Sequence, residues 1–328
     1  MNILITGVAG CIGSNFANWI LENHPECNII GLDDLSGGYI ENIDPRIKFY
    51  LRDCGSDLED IFTQNEITHV AHFAAYAAER VSPFLRKFNY HNNVVNTSNV
   101  INCCIKFQCK ILFTSSISVY GRNSLPYLET QIPMPIDPYG IAKYAIELDL
   151  ENAHDQHGLR YTILRPHSVI GVQQNLWDKY RNVISIWMRQ ILNNEPITIT
   201  GSGNQLRAFT WAQDVMPCFW ECLLGHDSLI FNIGSDKVYS LNQVADILEQ
   251  VVEFKINRKY TQNQHEIIEA YSDHTLSKEL LNFKEKTDLE TMLKEMWLWA
   301  KKQPKKEVKS WYRFEIDNGL YDVWKENK

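Results

Sequence analysis

The sequence has 328 residues, of which 45% are hydrophobic and 22% are charged, as expected of a folded protein with a full apolar core. Its formal net charge is −8, and nothing in it suggests the basic face that nucleic-acid binding requires, so we expect no nucleic-acid partner. No stretch reaches the roughly 18 apolar residues that span a membrane, and the first six residues lack the positive flank of a signal peptide.

Short apolar runs alternate with helical patterns through the first half of the chain. Because each run is bounded by polar residues, we interpret them as buried strands, and they cover residues 2–6, 28–32, 47–51, 68–75, 110–113 and 161–164. The longest helical patterns cover residues 83–107 and the segment after Pro138. This alternation predicts an α/β fold, a doubly wound parallel sheet with helices on both faces. A ligand is then expected beyond the carboxyl ends of the strands.

The alternation becomes less regular after Arg165-Pro166. The sequence there predicts a helix over residues 182–192, a strand over 196–200, a turn at 201–203, a strand over 231–234 and a helix over 241–252. The end of the chain is charged and rich in tryptophan. We therefore predict a main domain over residues 1–170, to which segments of about 206–245 return. A smaller C-terminal region, residues 171–328, would mainly bind substrate.

The eight cysteines favour a protein of a reducing compartment. No two are spaced as Cys-x-x-Cys, and no histidines accompany them in a zinc pattern. Most lie inside apolar runs, where reduced thiols behave as small core residues. We therefore expect a cytoplasmic protein with no metal site.

A glycine-rich turn joins the first predicted strand to the first predicted helix. Residues 7–13 read Gly-Val-Ala-Gly-Cys-Ile-Gly. Glycines allow a sharp turn and a close approach to a pyrophosphate, and the N-terminus of the following helix attracts that anion. Such a pattern is weak alone, since a glycine turn can serve helix packing. An acidic residue, Asp33, ends the next strand roughly twenty residues later, which is the spacing of a dinucleotide-binding unit.

Asp33 also predicts which dinucleotide is bound. A carboxylate there accepts hydrogen bonds from the adenine-ribose hydroxyls and repels a 2′-phosphate. We therefore expect NAD rather than NADP and a Rossmann-type, NAD-binding main domain. The alternative is that Asp33 serves only as a turn former.

Two segments supply candidate catalytic groups. Tyr139 and Lys143 are four residues apart on a predicted helix and so share one face. A nearby ammonium and a positive nicotinamide ring would stabilise the phenolate and lower the tyrosine pKa. Ser115 and Ser116 follow the fifth strand and would face the same cleft, where a hydroxyl can hold a reacting sugar hydroxyl. Taken alone, Tyr-x-x-x-Lys is usually an exposed helix face, and the serines could be a simple turn.

Together these motifs resemble the extended short-chain dehydrogenase/reductase superfamily, and within it the NAD-dependent nucleotide-sugar epimerases and dehydratases. The resemblance covers nearly the whole chain, and the motifs are most similar to those of UDP-glucose 4-epimerases. The matching segments are residues 7–13, 33–36, 72–75, 92–93, 114–121, 139, 143, 165–169, 201–214 and 231–234.

The resemblance assigns a role to each matching position. It implies Ser116, Tyr139 and Lys143 as the catalytic set. It implies Ser116, Ser168, Asn182 and Arg207 as substrate-binding residues, and a guanidinium suits phosphate. The implied cofactor-binding residues are Gly7, Gly10, Cys11, Ile12, Gly13, Asp33, Asp34, Leu35, Ser36, Asp53, Cys54, Phe73, Ala74, Ala75, Asn92, Ser115, Tyr139, Lys143 and His167.

Two positions depart from the family pattern. The family usually has asparagine where Ser168 stands, so one diphosphate contact is shortened or lost. The family also tends to place an arginine within the stretch that corresponds to residues 260–266, and none occurs here. Phosphate binding would then depend on Arg207 or on a residue that the sequence does not identify.

The residues after Ser116 bear on the reaction. Sugar 4,6-dehydratases and decarboxylating relatives carry an acidic residue there, whereas this chain has Ile117 and Ser118, which cannot do acid–base chemistry on C5 or C6. We therefore expect epimerisation of a nucleotide-diphosphate sugar at C4 through a transient 4-keto sugar, and the resemblance implies a UDP-hexose as the substrate. The alternatives are a nucleotide-sugar reductase or dehydrogenase with the same Ser-Tyr-Lys set and, less favoured, a 4,6-dehydratase. The resemblance also implies a homodimer formed by the helices at residues 83–107 and 138–157.

Overall fold

The structure is a computed structural model that describes residues 1–311 and 313–325. Residues 312 and 326–328 belong to the predicted C-terminal region and lie outside the described residues. Numbered along the chain, the described strands are β1 (Asn2–Thr6), β2 (Asn28–Asp33), β3 (Lys48–Leu51), β4 (His69–His72), β5 (Lys110–Thr114), β6 (Tyr161–Pro166), β7 (Val169–Ile170), β8 (Ile197–Thr200), β9 (Leu206–Ala208), β10 (Thr210–Trp211), β11 (Leu229–Ile233), β12 (Val238–Ser240), β13 (Arg258–Thr261) and β14 (Glu269–Ala270).

The described helices follow the same numbering. They are α1 (Cys11–Asn23), α2 (Glu59–Gln64), α3 (Arg86–Tyr90), α4 (Asn96–Lys106), α5 (Pro138–His157), α6 (Val183–Leu192), α7 (Ala212–Leu224), α8 (Leu241–Val252), α9 (Thr275–Leu280) and α10 (Leu289–Ala300). None of them is long and apolar enough to cross a lipid bilayer.

The centre of the fold is a seven-stranded sheet in the order β11-β6-β5-β4-β1-β2-β3, with every pair parallel. The chain moves outward in one direction from β1 to β3 and in the other from β4 to β11, so the order reverses between β1 and β4. Helices α1 and α7 cover one face, and α2, α4 and α5 cover the other. This is a doubly wound sheet, and the predicted α/β Rossmann-type fold is confirmed.

Local sequence explains why the elements that hold the candidate site begin and end where they do. Strand β1 is an apolar run whose residues 3–5 are fully buried, as a strand covered on both faces requires. Helix α5 begins after Asp137, whose side chain accepts a hydrogen bond from the Gly140 amide, and Pro138 occupies its first position. It ends at Gly158, whose φ of 68° suits glycine.

A second apolar core lies in the C-terminal half. Helices α6, α8 and α10 and strand β8 contribute side chains to it, including Trp187, Met188, Ile197, Leu248 and Met296. Small sheets accompany this core: β12-β9-β14, β13-β8 and β10-β7. Of the segments predicted to return to the main domain, α7 packs against α1 and β11 joins the main sheet, whereas β9 and β12 pair with each other outside it. The division of the chain at residue 170 stays a prediction.

Several features differ from the predicted elements. The helix predicted over residues 83–107 contains a π-helical turn at His91–Val95 between α3 and α4. Strand β4 ends at His72, so residues 73–75 lie in the loop that follows it. Helices α2, α7, α9 and α10 were not predicted, and α7 contains Pro217, a residue that normally argues against a helix interior.

Candidate active site

A cavity of about 440 Å³ opens beyond the carboxyl ends of β1, β4, β5 and β6. This is the edge of the sheet where ligands bind in doubly wound folds. The predicted site residues that line it come from distant parts of the sequence: Gly7, Gly10, Cys11, Ile12, Gly13, Phe73, Ala75, Ser115, Ser116, Tyr139, Lys143, Ser168, Asn182 and Arg207.

The glycine turn leaves the N-terminus of α1 open towards this cavity. Gly10 is the N-cap residue, and no side chain caps the helix. A Cβ on Gly13 would come within 2.2 Å of the Gly7 carbonyl oxygen, so turn and helix pack too closely for any other residue. A Cβ on Gly10 would meet only that same oxygen, at 3.3 Å, and would otherwise fill the cavity. Free amides and open space together fit the pyrophosphate of a dinucleotide.

A smaller cavity of about 90 Å³ continues from the glycine turn towards the end of β2. The predicted cofactor residues that line it are Gly7, Gly10, Asp33, Asp34, Ser36, Asp53, Cys54, Phe73, Ala74, Ala75 and Asn92. The Asp33 carboxylate accepts hydrogen bonds from the amides of Ala9 (3.0 Å) and Leu35 (2.8 Å). Burial raises the pKa of Asp33, and these two amides oppose that shift. The geometry fits an adenosine half whose ribose would lie at Asp33.

Two predicted cofactor residues are absent from the lining of both cavities. Leu35 contributes its amide to Asp33 instead. The His167 ring is buried, with Nε2 at 2.8 Å from Nε2 of His274 and Nδ1 at 3.3 Å from the Ala208 carbonyl oxygen. Burial lowers the pKa of His167 to about 3, and His274 adds to the effect. Because both ring nitrogens are engaged, the geometry gives no support to a cofactor contact by this ring.

The predicted catalytic residues meet at the wall of the larger cavity. Tyr139 and Lys143 project from α5, and Ser116 follows β5 directly. The Lys143 ammonium donates to the Thr114 carbonyl oxygen at 2.7 Å and lies 5.9 Å from the centre of the Tyr139 ring. Burial lowers the pKa of Lys143 to about 7, against the opposing charge of Glu147.

The protein's own groups act on the pKa of Tyr139. The sequence predicts that Lys143 and a positive nicotinamide ring together lower this pKa, and among the groups of the chain alone burial raises it and the charge of Glu79 raises it further. Interaction with the Ser116 hydroxyl is the largest opposing influence. The residues around Tyr139 therefore favour the neutral phenol, and a positive charge beyond those of the chain would be needed to favour the phenolate.

Hydrogen bonds from neighbouring elements fix the start of α5. Ser82 Oγ accepts a bond from the Tyr139 amide at 3.2 Å, and the Asn89 amide group donates to the Pro138 carbonyl oxygen at 2.9 Å. Asp137 caps the helix, and its burial, reinforced by the charge of Glu79, raises its pKa to about 7. The loop after β4 thus determines where the phenol lies.

The predicted substrate residues are also held by the protein itself. The Asn182 side chain caps α6 by accepting from the Ile184 amide at 3.0 Å. The Arg207 guanidinium donates to Glu266 Oε2 at 2.9 Å and to the Ile267 carbonyl oxygen at 2.7 Å. Ser168 lines the cavity with a φ of 41°, in the left-handed region. Arg207 would have to share or exchange its partners to grip a phosphate.

Sequence reasoning missed several charged residues of the cavity wall. Its basic residues are Arg80, Lys143, Lys179, Arg181, Arg189 and Arg207, and its acidic residues are Glu79 and Glu266. The lining is thus positive although the chain has a net charge of −8. Among the described residues, Arg189 Nη1 is buried and has no hydrogen-bond partner. The basic stretch 179–181 before Asn182 could have been noticed, whereas Arg80 and Arg189 lie in no motif.

Comparisons with known proteins agree with this arrangement. Residues 3–234 match the model of the NAD dependent epimerase/dehydratase family. UDP-glucose 4-epimerase of Thermotoga maritima, solved with UDP-glucose, is 31% identical; the match covers 92% of this chain and 99% of that one, with a TM-score of 0.87. UDP-N-acetylglucosamine 4-epimerase of Methanobrevibacter ruminantium, solved with UDP-N-acetylmuramic acid, is 27% identical; the match covers 91% and 97%, with a TM-score of 0.84.

Another relative is named for a different substrate. The UDP-glucuronate 4-epimerase of Thermodesulfobacterium geofontis is 29% identical over 318 residues, 91% of this chain and 95% of that protein. The family match confirms the predicted family and its cofactor, NAD. This chain is therefore an enzyme that belongs to the NAD-dependent epimerase/dehydratase family.

Proposed function

We propose that this enzyme interconverts two nucleotide-diphosphate hexoses, in the first place UDP-hexoses, that differ in configuration at C4. The observation that supports this most directly is that the hydroxyls of Ser116 and Tyr139 share one cavity with the open N-terminus of α1. The names of the Thermotoga maritima and Methanobrevibacter ruminantium proteins point the same way, since both are UDP-sugar 4-epimerases.

In the proposed reaction the side chains bind, orient and move one proton. Tyr139 Oη takes the proton of the C4 hydroxyl as a general base. As a general acid it later returns the proton to the C4 oxygen of the sugar with the inverted configuration. Ser116 Oγ holds the same sugar oxygen beside Tyr139. Bound NAD would supply the hydride acceptor and donor that the reaction at C4 requires. Lys143 would position the cofactor, and its ammonium together with the positive nicotinamide ring would stabilise the phenolate.

The charges of the cavity wall support a doubly anionic ligand. Amides at the N-terminus of α1 would bind the pyrophosphate of NAD. Arg189 and Arg207, which line the same cavity, would bind the diphosphate of the substrate. Residues from the C-terminal half, among them Asn182, complete this wall, which fits the proposed substrate-binding role of residues 171–328.

The test is interconversion without added NAD, monitored by proton NMR after mixing purified enzyme with UDP-glucose or UDP-galactose. We expect both sugars to reach one equilibrium mixture. Tyr139→Phe should lower kcat by roughly 100- to 10,000-fold, since that is the usual contribution of a general acid–base. Tyr260→Phe removes a hydroxyl from an exposed tyrosine outside the cavity and should leave kcat unchanged. Stoichiometric accumulation of NADH, or full activity of Tyr139→Phe, would contradict the proposal.

We further propose that the enzyme is a cytoplasmic homodimer. Exposed apolar side chains on the two predicted interface helices support the dimer: Val95 is 55% exposed, Ile141 41% and Leu148 49%. All eight cysteines are free thiols, which fits a reducing compartment. Light scattering after gel filtration should give twice the monomer mass, and Leu148→Glu should reduce it if these helices form the contact.

A further inference from the structure

A carboxylate that the mechanism does not use lies beside the catalytic hydroxyls. Glu79 belongs to the loop after β4 and lines the larger cavity together with Ser116 and Tyr139. Ser118 Oγ lies 3.4 Å from Glu79 Oε2 and 3.1 Å from Ser116 Oγ. The sequence around Ser116 offered no acidic group, and the fold supplies one from a different loop.

One hydroxyl holds this loop and the catalytic helix together. Ser82 Oγ donates to the Glu79 carbonyl oxygen at 2.7 Å and accepts from the Tyr139 amide at 3.2 Å. The Ser82 amide also donates to that carbonyl oxygen, at 3.3 Å. The backbones of Glu79 and Tyr139 are therefore held close to each other, and the charge of Glu79 acts on the phenol.

The neighbouring basic groups are engaged elsewhere. Arg80 donates to Thr200 Oγ1 and Gln264 Oε1, both at 3.3 Å, on the side of β8. Lys143 donates to the Thr114 carbonyl oxygen, and Arg181 pairs with Asp178 at 3.0 Å. Within residues 1–311 and 313–325, no lysine or arginine forms an ion pair with Glu79. The sugar end of the cavity therefore presents an unneutralised carboxylate.

We propose that Glu79 is a specificity-determining residue that selects an uncharged sugar and rejects a uronate. This inference rests on the proposed function, because it assumes that the sugar lies beside Tyr139. The Glu79 carboxylate accepts a hydrogen bond from a sugar hydroxyl, an interaction that is strengthened by its charge. A uronate would bring a second carboxylate to the same wall, and juxtaposed like charges oppose binding. The family includes an enzyme named for a uronate, so membership alone leaves this choice open.

Binding distinguishes the two sugars without depending on turnover. Calorimetric titration of the NAD-loaded enzyme with UDP-glucose and with UDP-glucuronate gives the ratio of their dissociation constants. We expect UDP-glucose to bind the wild type about 10-fold or more tightly, since like charges in a binding site cost at least that much. In Glu79→Gln, which keeps the size of the side chain and removes its charge, the ratio should fall by about 5-fold or more. Glu22→Gln removes one negative charge from an exposed position outside the cavity and should leave the ratio unchanged.

Each outcome bears on a different claim. Equal affinity of the wild type for the two sugars, or an unchanged ratio in Glu79→Gln, overturns the role of Glu79 while leaving the proposed reaction intact. Failure of both UDP sugars to bind overturns the proposed function and this inference with it. Should Glu79→Gln not fold, Glu79→Ser removes the same charge at an exposed position and gives the same test.

Discussion

A buried ion pair between β6 and α5, next to the candidate active site, allows a quantitative test of the structure. Arg165 on β6 and Glu147 on α5 are 2% and 4% exposed, and their Nη2 and Oε2 atoms lie 2.5 Å apart. A second bond joins Arg165 Nε to Glu147 Oε1 at 3.0 Å, so the pair is bidentate. Ser115 Oγ donates to the same carboxylate at 2.5 Å, and Arg165 Nη1 donates to Tyr120 Oη at 2.8 Å. Ser115, the residue next to the proposed catalytic Ser116, is thus hydrogen-bonded to this pair.

Replacing Glu147 by glutamine should destabilise the protein strongly. The substitution leaves the Arg165 charge buried with only neutral partners, and breaking a buried pair in this way costs about 3–5 kcal/mol. Replacing both residues by apolar ones, Glu147→Leu with Arg165→Met, removes the uncompensated charge and should cost less than Glu147→Gln alone.

The measurement is the free energy of unfolding from urea titration at neutral pH. Glu59→Gln is the matched control, because Glu59 pairs with Lys106 at the surface and both side chains are more than half exposed. Such a pair contributes about 0–1 kcal/mol. If Glu147→Gln loses no more stability than Glu59→Gln, the pair is not desolvated as the structure has it, and the reasoning is wrong.

Two further predictions follow from buried carboxylates. Because the pKa of Asp137 is raised to about 7 in the folded chain from an ordinary 3.8, its contribution to stability is present below about pH 4 and is lost as the pH rises through 7. Asp137→Asn keeps an acceptor for the helix cap but cannot ionise. The free energy of unfolding of the variant relative to wild type should therefore rise between pH 4 and 8, by at most about 4 kcal/mol. Urea titration at the two pH values measures this difference. If the stability of the variant relative to wild type falls or stays constant over this pH range, the prediction is wrong. Asp33→Asn should raise the affinity for NADP relative to NAD by about 10-fold or more, measured by calorimetry. The substitution removes the charge that repels the 2′-phosphate, and Arg52, which lines the same cavity, remains to attract it. An unchanged preference would show that Asp33 does not face the ribose.

The main sheet was predictable because its signals are local. Each of its first six strands is an apolar run bounded by polar residues, and each run is long enough to identify without knowing its neighbours. The strands that escaped prediction have two to four residues, and pairing between distant segments defines them; β9, for example, lies between β12 and β14. Helix α7 escaped because Pro217 contradicts the local rule, and burial against α1 outweighs that rule.

The residues of the candidate site also include some that local sequence predicts and some that it does not. Gly10, Asp33, Ser116 and Tyr139 lie in motifs whose spacing has a chemical reason, so their convergence at one edge follows from a parallel sheet. The charged residues that surround them have no such spacing. Glu79 lies near Ser118 because the loop after β4 folds over the end of β5, a contact that no sequence pattern indicates. Local motifs therefore predict the candidate reaction chemistry, whereas the residue that we propose selects the sugar is placed by tertiary contacts.

The tryptophan-rich end of the chain illustrates this dependence on distant contacts. Trp324 is 5% exposed and packs on Phe84 and Tyr180 at ring distances of 5.9 and 5.6 Å, and it lines the larger cavity. Tyr321 Oη accepts from the His265 amide at 2.8 Å. The aromatic side chains near the end of the chain thus close the cavity wall that the loop after β4 begins. Since Phe84 follows Glu79 in the chain, packing at the C-terminus supports the segment that carries the residue we propose selects the sugar.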